Sequence, residues 1–146
     1  MTYAHKATCR FDVASWSESL VSDIDGEGIT SGDAYYPVRG LTRAEVSYAY
    51  RGDIEGTGSL VYLIAYKRDA APVLGLGRFE GSIGGHEGTC VFRHVGSQDQ
   101  GSVAGHLEVV PGMGTGGLEN LRGEADLSIS GPSQDGYDLV LAYDLG

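Results

Sequence analysis

The sequence predicts an all-β protein, a closed antiparallel barrel of about eight strands. Three observations carry this. Apolar and polar residues alternate with period two along most of the chain, and the 3.6-residue period of an amphipathic helix is hard to find. The 24 glycines, about twice ordinary usage, fall between the apolar runs, where sharp turns need positive φ. Short runs recur at nearly regular spacing, as in a sandwich or barrel, and closure removes the exposed edges that an open sheet leaves.

In chain order, Ala7–Ser15 opens the series of strands. Arg43–Arg51 follows, with Tyr48 and Tyr50 on one face and Arg43, Glu45 and Ser47 on the other, and it ends at the turn signal Gly52-Asp53. Ser59–Lys67 carries Tyr62 and Tyr66 on one face, and Val73–Gly81 ends just before Gly84-Gly85. Gly88–Val95 sets Cys90, Phe92 and His94 on one face and is closed by the segment Gly96–Gly101. Ser102–Val110 opposes His106 and Glu108 to Leu107 and Val109, Arg122–Ser130 stops at Gly131-Pro132, and Tyr137–Asp144 completes the set. Such a barrel has an interior just wide enough for side chains or one small ligand.

One stretch resists this pattern. Glu18–Gly40 contains Asp23, Asp25, Gly26, Gly28, Gly32, Tyr35, Tyr36 and Pro37 without regular alternation. Loops of this length in a compact domain are either mobile or functional, so a flap across one end of the barrel is expected here. No internal repeat or linker divides the chain, and residues 1–146 read as one domain.

Composition narrows the partners. At 146 residues the chain buries enough surface to need no disulfide or metal for stability. A formal net charge of −10 argues against nucleic acid and against anionic membrane surfaces, both of which call for clustered Lys and Arg. Met1 to Arg10 lacks the apolar core of a signal peptide, and no run approaches the ~20 apolar residues of a membrane helix. A cytoplasmic location is therefore expected. Cys9 and Cys90 show no metal-ligand spacing and read as two reduced, partly buried thiols.

The motifs divide into decoys and candidates. Gly112, Gly114 and Gly117 fit a dinucleotide pattern, but Leu118 to Gly123 leaves barely one helical turn before the next strand. A pyrophosphate site needs a helix N-terminus after a strand, so a glycine-rich barrel loop is the better reading. Asp23, Asp25, Glu27 and Gly28 copy half a calcium loop, yet Ala34 stands where a bidentate Glu belongs. Among the four histidines, His5 lies near the N-terminus, His86 in a turn, and His106 points outward with Glu108, one ligand short of the three a zinc site requires. Neither metal nor cofactor is expected. No Gly-x-Ser-x-Gly elbow occurs, which disfavours nucleophilic hydrolysis.

His94 is different, because it shares a face with Cys90 and Phe92 and should point inward. A buried histidine is most often a hydrogen-bonded core residue, but if the interior is a pocket it is the best acid–base candidate. Nine tyrosines offer apolar bodies with one hydroxyl each, suited either to simple packing or to the wall of a small-molecule pocket. Tyr48, Phe92, Tyr35, Tyr36 and Glu45 are accordingly candidate ligand-binding residues, although alternation alone leaves open which face of the Arg43–Arg51 strand looks inward.

Several segments together resemble a bacterial family, domain of unknown function 3224, an allene-oxide-cyclase-like barrel. They are Leu41-Thr42-Arg43-Ala44, Gly52-Asp53-Ile54-Glu55-Gly56-Thr57-Gly58, Tyr62 through Tyr66, and Gly88 through His94. The most specific is Val109-Val110-Pro111-Gly112-Met113-Gly114-Thr115-Gly116, followed by Leu121-Arg122-Gly123-Glu124. The resemblance implies a cyclase or isomerase acting on an apolar small molecule, with a natural-product intermediate as one candidate and a non-catalytic carrier as the alternative. On the matching positions it marks Tyr62, Tyr66 and His94 as candidate catalytic residues. Two departures stand out: Gly77 replaces a frequent acidic residue, and the Glu18–Gly40 loop is longer than usual. A homodimer is a reasonable expectation for such barrels, although no exposed apolar stripe is legible in the sequence.

Overall fold

The structure is a computed structural model that describes residues 3–32, 34–99, 102–130 and 136–146. Gly101 and the Gly131-Pro132 turn signal lie outside the described residues. The strands are β1 (His5–Asp23), β2 (Gly28–Ser31), β3 (Ala34–Pro37), β4 (Gly40–Gly52), β5 (Ile54–Tyr66) and β6 (Ala71–Ile83). They continue as β7 (His86–Asp99), β8 (Ser102–Val109), β9 (Thr115–Gly116), β10 (Arg122–Ser130) and β11 (Tyr137–Asp144). No helix occurs among the described residues, so none is long and apolar enough to cross a membrane.

Eight of these strands close into an antiparallel barrel in the order β6-β5-β4-β1-β11-β10-β8-β7, with β6 pairing back onto β7. Each of the eight sequence-predicted strands is a stave of this barrel. Tight turns join β4 to β5 and β6 to β7. At Ile83–His86 the two central residues are Gly84 and Gly85, with φ of 58° and 84°, the positive pair that a type I′ turn requires.

The loop expectation over residues 18–40 needs correction. The first strand does not end near Ser15 but runs on to Asp23, paired with β4 except at register shifts between Val13 and Ser15 and between Leu20 and Ser22. Only 24–39 departs from the barrel, and part of it forms the β2–β3 hairpin. Two acidic residues of the calcium-like run, Asp23 and Asp25, are engaged within that hairpin region. Asp23 accepts from the Tyr35 hydroxyl at 2.6 Å and from the Gly26 amide, while Asp25 takes two hydrogen bonds from Arg39.

The interior divides into two apolar clusters. The larger fills one end, where Phe79, Ile83, Cys90, Leu118 and Leu141 are each at most 1 % exposed. Burying a large aliphatic or aromatic side chain contributes roughly 1.5–3 kcal/mol. Leu118 reaches this cluster from the glycine-rich segment, which β9 ties to β7 through Gly88 and Thr89. The dinucleotide-like glycines thus shape a plug for the closed end. The smaller cluster, Ala44, Val46, Leu60, Tyr62, Ile64, Ala71 and Val73, lies on β4, β5 and β6 towards the other end.

Candidate functional site

A cavity of about 290 Å³ lies within the barrel. Its wall draws Phe11 and Leu127 from the larger cluster and Tyr62, Ile64 and Val73 from the smaller, with Trp16, Tyr48, Gln98 and Tyr137 also on the lining. The volume is at the low end of the ~300–1,000 Å³ usual for ligand pockets, so a compact occupant fits.

The cavity's polar groups include a hydrogen-bonded three-residue chain. Tyr48 on β4 and Tyr62 on β5 share a hydrogen bond of 2.9 Å between their hydroxyls, and the Tyr62 hydroxyl lies 3.1 Å from Nδ1 of His94 on β7. His94 is 3 % exposed, and its Nε2 is buried with no hydrogen-bond partner among the described residues. The ring has this room because Gly105 faces it from β8. A Cβ on Gly105 would sit 2.5 Å from Nε2.

Burial sets the charge state of all three groups. Loss of water holds His94 below the ordinary histidine range and pushes the Tyr62 and Tyr48 phenols up. The chain is therefore neutral at pH 7, and only two hydrogen-bond directions exist. If Tyr62 donates to Nδ1, the proton on Nε2 is a buried donor without an acceptor. If Nδ1–H donates to Tyr62, then Tyr62 donates to Tyr48, Nε2 becomes an open acceptor, and the Tyr48 O–H is left to donate. Buried N–H groups without acceptors are rarer than open acceptors, which favours the second arrangement. It leaves the Tyr48 hydroxyl as the chain's free donor on a largely apolar wall.

A second polar group is tied to the cavity wall through Trp16. Glu18 accepts from Trp16 Nε1 at 3.1 Å, from Thr42 at 2.5 Å and from the Tyr66 hydroxyl at 2.7 Å. Trp16 lines the cavity and stacks on Tyr62 at 6.4 Å between ring centroids. Both Trp16 and Glu18 were invisible to alternation. A register shift between Val13 and Ser15 leaves Ala14 unpaired, so the strand changes parity and even-numbered residues take over the face that Phe11 and Val13 held.

The candidates separate cleanly. Tyr48, Tyr62 and His94 come together on the cavity. Tyr66 does not line it and is bound to Glu18 instead, with burial followed by that hydrogen bond pushing its phenol up. Phe92 belongs to the filled cluster and borders only a small void there. Tyr35 and Tyr36 belong to the β2–β3 hairpin and are absent from the lining, Tyr36 packing edge-on against Tyr66. Glu45 is outside the barrel, paired with Arg43, so its assignment as a ligand contact is corrected. Gly77 faces Leu60 so closely that a Cβ would meet its Cγ at 2.1 Å, which leaves no space for an acid at that position.

The outward pair His106 and Glu108 gains a third member. Pairing of β8 with β10 sets Glu124 opposite Glu108, and ligand-type atoms of His106, Glu108 and Glu124 lie within 4.8 Å of one another. The sequence count of two convergent groups was therefore one short. Asp126 holds His106 Nδ1 at 2.9 Å, and Arg93 pairs with Glu108. Cys9 and Cys90 are free thiols, both fully within the core rather than partly buried, and burial pushes them up to about 11 and about 12.

Comparison with known proteins agrees with this architecture. Residues 7–141 match a family described as a protein of unknown function, DUF3224. The crystal structure of a DUF3224 protein of unknown function from Shewanella oneidensis MR-1 superposes with a TM-score of 0.70 at 22% identity, covering 96% of each chain. No curated protein shows significant similarity to this chain.

Proposed function

This chain belongs to the DUF3224 family, and we propose that it is a small-molecule barrel acting as a cofactor-independent cyclase or isomerase, in the manner of allene-oxide-cyclase-like barrels. The observation that carries this reading is the hydrogen-bonded Tyr48–Tyr62–His94 chain on the wall of an otherwise largely apolar cavity. The fitting substrate is compact and apolar with one oxygen acceptor. Its carbon skeleton is folded by Phe11, Trp16, Ile64 and Val73, and its oxygen is met by the Tyr48 hydroxyl.

Two contributions to rate follow. Holding a flexible substrate in a reactive conformer is worth up to about 7–11 kcal/mol in well-oriented systems. A neutral phenol backed by a second phenol and an imidazole polarises a developing oxyanion without requiring a charged residue in a dry site. The chain His94–Tyr62–Tyr48 strengthens donation at its cavity end, because each donor is itself an acceptor.

One observation favours the alternative of a non-catalytic carrier. Nε2 of His94 is sealed against Gly105, so no basic nitrogen reaches the occupant directly in this conformation. Native mass spectrometry of gently purified protein identifies the occupant, and incubation with it separates the readings. An occupant converted to an isomer at a rate reduced by Tyr48→Phe supports the enzyme. An occupant returned unchanged assigns the carrier, and protein that stays empty against a panel of apolar oxygenated ligands refutes both.

A further inference from the structure

The outer face of the barrel carries an apolar patch that the sequence did not reveal. Cross-strand register aligns it in two rows over β4, β5, β6 and β7. One row reads Arg43, Leu63, Leu74, Val95, and the next reads Glu45, Val61, Leu76, Arg93. Leu63, Leu74 and Leu76 are 51–57 % exposed and Val95 49 %. Together with Val61 they border a shallow groove of about 380 Å³. Scattered single leucines on a surface are ordinary, whereas a contiguous patch rimmed by charge marks an interaction site.

We propose that this face pairs with the same face of a second copy of the chain. The argument is its self-complementarity. A two-fold axis running parallel to the strands between β5 and β6 exchanges β4 with β7 and β5 with β6. In the first row Leu63 of one protomer then meets Leu74 of its partner. In the second row Val61 meets Leu76, and Glu45 meets Arg93. The last contact occurs twice, once on each side of the axis, and joins two existing surface pairs, Arg43–Glu45 and Arg93–Glu108, into one network. An isologous interface demands that a patch be its own complement, and the charges of the second row meet that demand.

The size of the face sets the strength. Four strands at ~4.8 Å and two rows occupying ~6.6 Å each give a footprint on the order of 250 Å² per partner, well below the ~800 Å² of a standard interface. The dimer is therefore weak and concentration-dependent. Because the patch lies outside the barrel and the cavity inside, this inference stands apart from the proposed chemistry.

Sedimentation velocity from low to high micromolar chain tests it. Wild-type protein moves from the 15.4 kDa chain mass towards twice that value, and Leu74→Glu stays at the chain mass. Glu45→Arg and Arg93→Glu each raise the dimer dissociation constant at least about tenfold. Mixed together they form a heterodimer, since Arg at 45 then faces Glu at 93 while the native pair survives on the other side. Circular dichroism confirms that each variant is folded, and Leu76→Ser replaces Leu74→Glu if the latter is not. A wild-type protein that remains monomeric, or a dimer indifferent to these changes, overturns the proposal.

Discussion

Replacing Tyr62 by Phe removes a single oxygen and keeps the ring that Trp16 and His94 pack against. That oxygen is the middle of the buried chain, 2.9 Å from the Tyr48 hydroxyl and 3.1 Å from His94 Nδ1. Its loss leaves His94, whose Nε2 already has no partner, without one at either nitrogen, and strands the Tyr48 hydroxyl as well. Each abandoned buried polar group costs about 1–3 kcal/mol. Tyr48 is only partly buried and falls at the low end, so the sum is about 2–4 kcal/mol. For a chain of this length each kcal/mol lowers Tm by about 2–4 °C, and the expected drop is roughly 5–15 °C. Thermal and urea unfolding of Tyr62→Phe measure it. In a His94→Leu background the same substitution should cost about 1–2 kcal/mol less, because one stranded partner is already gone. A Tyr62→Phe protein that melts with the wild type, or that loses equally in both backgrounds, refutes the buried chain as an energetic unit.

Further expectations follow from the same geometry. Burial holds His94 below its ordinary ~6.5, so the unfolded chain binds a proton that the native chain does not. Stability is full above about pH 6.5 and falls as the pH drops towards the folded value, by at most ~1.4 kcal/mol per pH unit. His94→Gln should remove that slope from urea-unfolding profiles. His106→Gln should leave it, because Asp126 raises His106 and its contribution has the opposite sign, lost as the pH rises. Gly105→Ala places a methyl 2.5 Å from His94 Nε2 and should cost about 1–3 kcal/mol through overpacking. Equal stability would show that the ring moves freely. Cys9 and Cys90, buried and raised to about 11 and about 12, should resist a thiol reagent in native protein and release two thiols per chain on unfolding. Fast native labelling would contradict their placement. Trp16 is the single tryptophan and lines the cavity, so an occupant should change its fluorescence, and binding that leaves the emission unaltered lies elsewhere.

Much of the barrel was written locally. Alternation and glycine spacing mark where each of the eight staves runs, because side-chain parity and turn chemistry are properties of a few neighbouring residues. The inward face of β7 was legible for this reason: Cys90, Phe92 and His94 share one parity with no interruption. The family likeness pointed to Tyr62 and His94, and the fold joins them through a hydrogen bond between strands that are not neighbours in the barrel.

What the tertiary structure decided depends on relations that no short segment contains. The run Leu60 to Tyr66 is apolar on both faces, so parity cannot say that Tyr62 points in while Leu63 joins an exposed patch. An unpaired Ala14 turns Trp16 and Glu18 inward, and a bulge has no composition of its own. Glu124 reaches His106 only because β10 pairs with β8 in one register. Period-two patterning states that a strand has two sides. Closing eight strands around one interior assigns those sides, and with them the cavity, its neutral polar chain and the outer apolar face.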